Sequence, residues 1–258
     1  MRKADLVGRL TKLQNNNTMK KTAILLAALA AGAGLNAQDV KSSYSVTTDF
    51  TYASEYVFRG VEVAGNSFQP SIEVSAGDAY VGLWTNNPVT DGESNEIDIY
   101  GGYKYKFNDA LSFEAVGTYY WYPEASGGDT KDSWEVGLGA TYVYQGISSS
   151  LYYYYDFILE ADTIQASVGY SVPLEAIGSS VDFSVFAGTV DGRDWEPDAG
   201  RRTMETYNYY GFDISVPYKL NDKAAVTTGL HYAANDGLGD GSEPDSNLWF
   251  TVGLSVGF

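Results

Sequence analysis

Residues 247–258 read Asn-Leu-Trp-Phe-Thr-Val-Gly-Leu-Ser-Val-Gly-Phe, and the stretch ends on an aromatic residue, Phe258. Successive side chains of a β-strand point to opposite faces. One face of this strand would be fully apolar and would consist of Leu248, Phe250, Val252, Leu254, Val256 and Phe258. The other face would carry small or polar side chains together with Trp249. A half-buried strand of a soluble protein can have the same pattern, so the fold depends on whether the whole chain repeats it.

The alternation of apolar and polar residues recurs along most of the chain and predicts twelve strands. The first strand is predicted from about Ser42 to Phe58, and the terminal stretch is the twelfth. The fourth strand, 96–107, shows the pattern most clearly, because its apolar residues alternate with acidic and basic ones. Glycine (28 residues) and tyrosine (22 residues) are abundant, and signals for helices are scarce.

The connections between the predicted strands fall into two length classes. Most of those after even-numbered strands are tight: Gly77-Asp78, Asn108-Asp109, Gln145-Gly146 and Asn221-Asp222. The fifth, 173–179, is somewhat longer. Most of those after odd-numbered strands are long and acidic: 59–65, 87–95, 123–132, 191–202 and 235–246. An even strand count with this segregation is typical of outer-membrane barrels. The sequence therefore predicts an all-β fold, a 12-stranded antiparallel transmembrane β-barrel with short periplasmic turns and longer extracellular loops. A secreted soluble sandwich is the alternative fold.

The first 37 residues are predicted to be a leader rather than part of the fold. From Met19 the chain reads Met-Lys-Lys, then an apolar run of 14 residues, Thr22–Leu35, and then the small residue Ala37. This order is typical of a secretory signal peptide, and the run is shorter than the roughly 20 residues of a membrane-spanning helix. Translation is predicted to begin at Met19, which makes residues 1–18 an over-extended start; a genuine cytoplasmic extension is the alternative. Cleavage after Ala37 would leave 38–258 as a single barrel domain.

The residues after the leader are strongly acidic. Six of the 16 Lys and Arg residues and one of the 33 Asp and Glu residues lie in the leader, which leaves 10 basic and 32 acidic side chains after it. This charge argues against nucleic acid as a partner and favours cations or neutral solutes. There is no cysteine, so disulfides, thiolate chemistry and Cys-ligated metals are excluded. If the chain enters a membrane after export, it must do so as a closed barrel, because lipid satisfies no backbone hydrogen bonds.

Three motifs resemble a known family. They are Tyr52-Ala-Ser-Glu-Tyr-Val-Phe-Arg-Gly60, Glu96-Ile-Asp-Ile-Tyr-Gly-Gly-Tyr103 and Tyr119-Tyr-Trp-Tyr-Pro123. Their order and approximate spacing resemble the TorF-like family of bacterial outer-membrane porins. The resemblance, from about Tyr44 to Tyr170, implies a small pore-forming barrel in a Gram-negative-type outer membrane, and it implies no particular solute. Phe258 resembles the signal that the barrel assembly machinery recognises. That machinery, outer-membrane lipid and lipopolysaccharide are therefore expected partners.

In such a barrel, the apolar face of each strand meets lipid and the other face lines the interior. The predicted pore-lining residues are Asp49, Glu55, Arg59, Glu73, Glu96, Asp98, Tyr100, Lys104, Lys106, Glu114, Tyr120, Glu135, Tyr152, Tyr154, Asp156, Asp182, Asp213 and His231. Because acids outnumber bases, a narrow lumen that favours cations or small polar solutes is predicted. Alternatively, the charges pair across the interior and plug it, with Arg59 anchored by Glu55 or Asp98. The interior tyrosines either form a stacking track for sugars or nucleosides or fill space.

Catalytic residues, metal sites and cofactors are not predicted. His231 is the only histidine, and the alternation places it inside the barrel, whereas a membrane lipase would act on the outer surface. No Gly-x-Ser-x-Gly motif occurs, and one histidine argues against zinc. The acidic stretches 191–198 and 236–245 could bind calcium, but neither fits the EF-hand pattern in full, so a solvated surface is the preferred interpretation.

These observations predict a non-enzymatic outer-membrane channel for passive diffusion of small polar or cationic solutes. A non-conducting structural or surface-interaction barrel, whose long acidic loops bind a partner, is the alternative. A membrane hydrolase is a third hypothesis.

Overall fold

The computed structural model describes residues 44–90, 92–125, 131–196, 201–238 and 244–258. Its strands are β1 (Tyr44–Ala53), β2 (Tyr56–Phe58), β3 (Val61–Ala64), β4 (Ser67–Ala76), β5 (Ala79–Pro88), β6 (Glu96–Lys106), β7 (Leu111–Trp121), β8 (Asp132–Tyr144), β9 (Ile147–Asp156), β10 (Ala161–Leu174), β11 (Ser179–Glu196), β12 (Arg201–Asn221), β13 (Ala224–Asn235) and β14 (Asp245–Gly257). A turn of 3₁₀ helix, Glu175–Ile177, lies between β10 and β11. Within these ranges, no helix is long and apolar enough to cross a membrane. The predicted start, 1–18, and signal peptide, 19–37, lie outside the described residues and stay predictions.

Twelve of the strands form a closed antiparallel barrel in the order β1-β14-β13-β12-β11-β10-β9-β8-β7-β6-β5-β4. Strands that follow one another in the chain are neighbours, except that β1 pairs with β4 across the β2–β3 hairpin. Pairing of β1 with β14, from Thr47 opposite Gly257 to Ala53 opposite Thr251, closes the sheet. Every barrel strand therefore has two partners, and no edge exposes unpaired backbone groups. The predicted 12-stranded antiparallel barrel is confirmed.

Two predicted boundaries are wrong. The first barrel strand ends at Ala53, because Tyr56–Phe58 is a separate strand, β2, that pairs with β3 and leaves the barrel sheet. Aromatic residues alternate through both segments, which hides the break in the sequence. The predicted link at 191–202 is largely strand, since β11 and β12 pair as far as Glu196 opposite Arg201. A two-stranded extension of this kind can continue past a barrel rim because its strands satisfy each other's backbone hydrogen bonds.

The outer surface of the barrel is apolar. Along β14, Leu248 and Phe250 are 60% and 49% exposed, whereas Asn247 on the other face is 8% exposed. Large apolar side chains are exposed in the same way on the other barrel strands. An apolar surface this extensive is incompatible with a monomer in water and matches the hydrocarbon of a bilayer. The predicted phase of the terminal strand is therefore correct.

The tight turns lie together at one rim, which also holds the chain end. Gln145 and Gly146 form the two-residue turn between β8 and β9 with φ values of 50° and 82°, and positive φ at both positions defines a type I′ hairpin. At the same rim, the backbone N–H of Phe258 donates to the carbonyl of Val46 at 2.9 Å, and its side chain is 70% exposed. The other rim carries the longer connections, apart from two short links, 157–160 between β9 and β10 and the four residues between the ends of β11 and β12.

Val168 and Ser167 test the assignment of the two faces. Val168 is 46% exposed on the outer face, and the Ser167 hydroxyl lies 2.6 Å from that of Ser150 on the inner face. In a bilayer, Val168→Arg should lower the free energy of unfolding by about 2–4 kcal/mol if it lies near the midplane. Ser167→Arg should cost less, since its charge would enter the polar interior. Denaturant titration in phospholipid vesicles measures both losses, and equal losses would contradict the assignment.

Candidate functional site

The β2–β3 hairpin lies between β1 and β4 in the chain and folds into the barrel interior. Phe58 pairs with Val61, so Arg59 and Gly60 form a two-residue tip. Their φ values are 49° and 78°, which makes the tip a type I′ turn. Glycine adopts this conformation freely, but in arginine it costs on the order of 1–3 kcal/mol. Contacts with the barrel wall must therefore hold Arg59 in place.

The Arg59 side chain reaches the wall opposite β1 and β4. Its Nη1 and Nη2 donate to Oε2 and Oε1 of Glu135 in β8 at 2.8 and 2.9 Å. The guanidinium carbon lies 4.7 Å from the ring centre of Phe58 and 5.0 Å from that of Tyr154 in β9. Arg59 and Glu135 are only 14% and 5% exposed. Burial disfavours the charged guanidinium, but Glu135 outweighs burial and raises the pKa of Arg59, so the guanidinium stays charged.

The backbone of the hairpin tip is held by β12 and β13. The side-chain amide of Asn235 donates to the carbonyl of Gly60 at 2.7 Å. A Cβ atom at Gly60 would stand 2.7 Å from Cβ of Tyr209 and 3.0 Å from the carbonyl oxygen of Ala234. Only glycine fits this close approach. The tip is therefore bound on two separate parts of the wall, at β8–β9 and at β12–β13.

The base of the hairpin packs on β5 and β6. The ring of Tyr56 lies 5.3 Å from that of Trp84, and its hydroxyl donates to Oε1 of Glu96 at 3.5 Å. Burial, reinforced by the nearby carboxyls of Glu96 and Asp98, raises the pKa of Tyr56 well above its usual value. The Tyr56 hydroxyl therefore stays protonated and can donate to these acids.

Glu96 and Asp98 are themselves buried, at 4% and 8% exposure, on the inner face of β6. Oε1 of Glu96 also accepts a hydrogen bond from the Tyr122 hydroxyl at 3.3 Å. Oδ1 of Asp98 makes no hydrogen bond within the described part of the chain. The interior beside the hairpin is therefore acidic and contains tyrosine donors.

Towards the short-turn rim, tyrosine hydroxyls converge on a second group of acids. Tyr80 in β5 and Tyr152 in β9 donate to Oε1 and Oε2 of Glu114 in β7, each at 2.5 Å. Tyr100 donates to Oε2 of Glu73 at 3.2 Å. Because β5, β7 and β9 are not adjacent, these bonds run along the inner face of the barrel. A cavity of about 230 Å³ lies beside Glu114 and Tyr152.

Several interior rings lie against glycines of the neighbouring strand. A Cβ atom at Gly139 would collide with the ring of Tyr152, and one at Gly137 with the ring of Tyr154. These rings therefore cover glycine backbone on the wall. This packing favours the space-filling interpretation of Tyr152 and Tyr154 over a stacking track for sugars.

His231 lies on the inner face of β13 within a chain of hydrogen bonds. Its Nδ1 is 2.7 Å from Oδ1 of Asp213, and its Nε2 is 2.9 Å from the hydroxyl of Thr251. The imidazole stacks on Trp249 at 5.2 Å, and Ser184 donates to the other Asp213 oxygen at 3.0 Å. The predicted inward direction of His231 agrees with these contacts, which link β11 to β14.

The remaining predicted residues make local contacts. Asp49 accepts a hydrogen bond from Thr51, and Asp182 accepts one from Ser171. Asp156 accepts from Ser133, Ile158 and Leu159, and Tyr120 donates to Glu135. Lys104 pairs with Glu114 and Lys106 with Asp109; at the same rim as Lys106, a lysine outside the predicted set, Lys219, pairs with Asp222. Glu55 lies between β1 and β2, outside the barrel strands. Lys106 and Lys219 are exposed at the short-turn rim, so they contribute little positive charge to the middle of the interior.

The anchor of Arg59 differs from the two residues that the sequence suggested. Both hydrogen bonds of the guanidinium go to Glu135 on the far wall and not to Glu55 or Asp98, because the hairpin turn carries the guanidinium away from β1. No sequence signal identifies this partner, since 76 residues separate the two. The hairpin itself had a signal: Arg59-Gly60 has the same X-Gly form as the Gln145-Gly146 turn. Asn235, Tyr209 and Trp84, which hold the hairpin, were missed for lack of any local pattern.

The two acidic stretches that were considered for calcium, 191–198 and 236–245, show ordinary hydrogen bonds where they are described. Asp191 accepts from Thr206 at 3.0 Å, and Asp236 accepts from the backbone and side chain of Asn208 at 2.7 Å. Residues 197–198 and 239–243 of these stretches lie outside the described residues. Among the residues that the structure describes, no group of three or more His, Asp or Glu side chains is placed to hold a metal ion.

Comparison with known proteins finds a family model for part of the sequence and solved structures that share most of the fold. A family model described as "Bacterial protein of unknown function (Gcw_chp)" matches residues 37–164. This range contains the three motifs that resemble the TorF-like family, but the description carries no function, so the TorF-like label stays a prediction. No curated protein matches the sequence.

Solved structures of outer-membrane channels share the fold at low sequence identity. The outer-membrane channel COG4313 from Pseudomonas putida F1 is 11% identical with a TM-score of 0.54, and the match covers 87% of this chain and 100% of that one. The KdgM porin is 12% identical with a TM-score of 0.50, covering 82% of this chain and 99% of that one. The barrel thus has the architecture of outer-membrane porins, and this likeness extends to the fold alone.

A double-mutant cycle tests the Arg59–Glu135 pair. Arg59→Gln and Glu135→Gln should each lower the free energy of unfolding by about 3–5 kcal/mol, because each leaves one buried charge without its partner. The double variant should lose much less than the sum of the two. Unfolding in phospholipid vesicles provides the free energies. The exposed pair Lys106–Asp109 is the matched control and should show no measurable coupling; additive losses at Arg59 and Glu135 would contradict the site.

Proposed function

We propose that the protein is an outer-membrane channel for passive diffusion of small polar or cationic solutes, with a lumen narrowed by the β2–β3 hairpin. The observation that carries this proposal is the bidentate hydrogen bond between Arg59 and Glu135, at 2.8 and 2.9 Å. It places a chain segment across the interior of a barrel that has a porin architecture.

The apolar outer surface and the closed sheet support a location in the membrane. A closed barrel satisfies its backbone hydrogen bonds internally, and its exposed apolar side chains require lipid. The predicted signal peptide, 19–37, would export the chain, and the exposed Phe258 at the short-turn rim suits a signal for the barrel assembly machinery. Outer-membrane lipid and lipopolysaccharide would surround the barrel.

The charge of the interior supports a preference for cations. Glu73 and Glu114 lie on the inner face, and Arg59 is neutralised by its own partner. Rings of carboxylates favour cations and disfavour anions in narrow pores. Neutral polar solutes would also find hydrogen-bonding groups in the tyrosine hydroxyls.

A non-conducting barrel is the second candidate, and the hairpin itself favours it. The hairpin contacts the wall at β5–β6, β8–β9 and β12–β13, which lie on different sides of the barrel. If these contacts close the interior completely, the long-loop rim would act as a binding surface and no solute would pass.

Planar-bilayer recording separates the two candidates. The exported protein should give discrete channels that prefer K⁺ to Cl⁻. Replacing residues 56–64 by a short Gly-Ser linker should raise the unit conductance at least several-fold, because it removes the segment that crosses the lumen. A channel that opens only after this replacement would support the closed barrel, and no current in either protein would contradict the channel proposal.

Glu73→Gln combined with Glu114→Gln provides the control for charge. Both carboxylates lie in the part of the lumen away from the hairpin, so conductance through an intact constriction should persist while the preference for K⁺ falls. An unchanged ion preference would show that these acids do not set selectivity.

A further inference from the structure

The hairpin places an arginine in a site that the barrel wall builds. Glu135 presents both carboxylate oxygens side by side, and the face of Tyr154 stands 5.0 Å from the guanidinium carbon. The Tyr120 hydroxyl, 3.4 Å from Oε1 of Glu135, orients the carboxylate. These three residues belong to β7, β8 and β9, so the site remains on the wall if the hairpin moves away.

The geometry is selective for a planar, delocalised cation. Two parallel N–H···O bonds require two donors at the spacing of a guanidinium, and a flat cation can also stack on an aromatic face. An ammonium group is a compact, strongly hydrated point charge and cannot make both bonds at once. Small inorganic cations could neither stack on the Tyr154 ring nor donate the two parallel hydrogen bonds to Glu135.

The hairpin is attached to the barrel through side-chain and tip contacts and not through a strand ladder. β2 and β3 pair with each other and form no ladder with the barrel sheet. An isolated two-stranded hairpin is marginally stable by itself. Its inward position therefore depends on wall contacts, and the Arg59–Glu135 ion pair is among them.

We propose that this pocket of Glu135, Tyr154 and Tyr120 is a binding site for small guanidinium-bearing solutes, and that Arg59 is a tethered occupant with which they compete. A solute that takes the place of the Arg59 guanidinium releases the hairpin tip from β8–β9, so that the tip is held at β12–β13 alone, and widens the passage. The inference deepens the channel proposal, because it names the solute class that the constriction would admit. Binding at the pocket, however, does not require conduction.

Competition sets the concentrations at which this exchange occurs. A group tethered by a short segment acts at an effective concentration on the order of millimolar or above. Free solute must therefore reach at least that range to displace Arg59 from the wild-type protein. When Arg59 is truncated, the pocket is vacant and the same solute should bind at lower concentration.

Methylguanidinium and methylammonium are the probes, added as chlorides at equal ionic strength to the full exported chain in detergent. Isothermal titration calorimetry of Arg59→Ala should show methylguanidinium binding at least tenfold tighter than methylammonium binding. Wild type should bind methylguanidinium more weakly than Arg59→Ala does. Adding Glu135→Gln to Arg59→Ala should abolish the preference for methylguanidinium, because the two carboxylate oxygens that accept parallel hydrogen bonds are lost.

Two further variants keep the test decisive. Arg59→Met retains the aliphatic stem, so it replaces Arg59→Ala in these titrations if truncation to alanine impairs folding. Lys106→Ala removes an exposed cation at the short-turn rim and should leave methylguanidinium binding as weak as in wild type. Equal binding of the two probes to the vacated pocket, or a preference that survives Glu135→Gln, would overturn the proposal.

The test of the guanidinium site can succeed or fail independently of the channel proposal. If Arg59→Ala conducts but shows no preference for methylguanidinium, the binding site is refuted and the channel stands. If the preference is present but neither wild type nor the hairpin replacement conducts, the site stands and the channel is refuted. In conducting protein, millimolar methylguanidinium should raise wild-type open probability, and methylammonium should leave it unchanged.

Discussion

Backbone pairing between β1 and β14 is the constraint on which the rest of the molecule depends. It joins the two ends of a sheet whose outer side chains are apolar, from Thr47 opposite Gly257 to Ala53 opposite Thr251. In hydrocarbon, an unpaired strand edge would leave a row of unsatisfied N–H and C=O groups. Closure therefore fixes the apolar face of every strand outward and turns the acids, tyrosines and glycines inward.

An interior lined in this way buries carboxylates that need counter-charges or hydrogen-bond donors, and the hairpin supplies one counter-charge. The inner face carries many carboxylates and few bases, and burial of unpaired charge is costly. Arg59 supplies one cation to Glu135, and the tyrosines supply neutral donors to Glu96, Glu73 and Glu114. The hairpin is thus both a constriction and a counter-charge, which explains why an arginine occupies a turn position that favours glycine or asparagine.

The sequence predicted the strands and their faces because both depend on local alternation. The turn at Gln145-Gly146 and the phase of Leu248 and Phe250 follow from patterns within a few residues. Tyr56–Phe58 was assigned to the first strand because aromatic alternation continues across a break that has no Gly or Pro. The site could not be assembled from the sequence, because Glu135 meets Arg59 across the interior. The pairing register of the five strands between them, β3 to β7, decides where Glu135 lies.

The central claim is that the hairpin tip rests against the inner wall, between β8–β9 and β12–β13. Nuclear Overhauser contacts in lipid nanodiscs test it most directly. Protons of Gly60 should show cross-peaks to the side chains of Tyr209 and Ala234, and those of Arg59 to the ring of Tyr154. Hairpin resonances at random-coil positions, with none of these cross-peaks, would contradict the account.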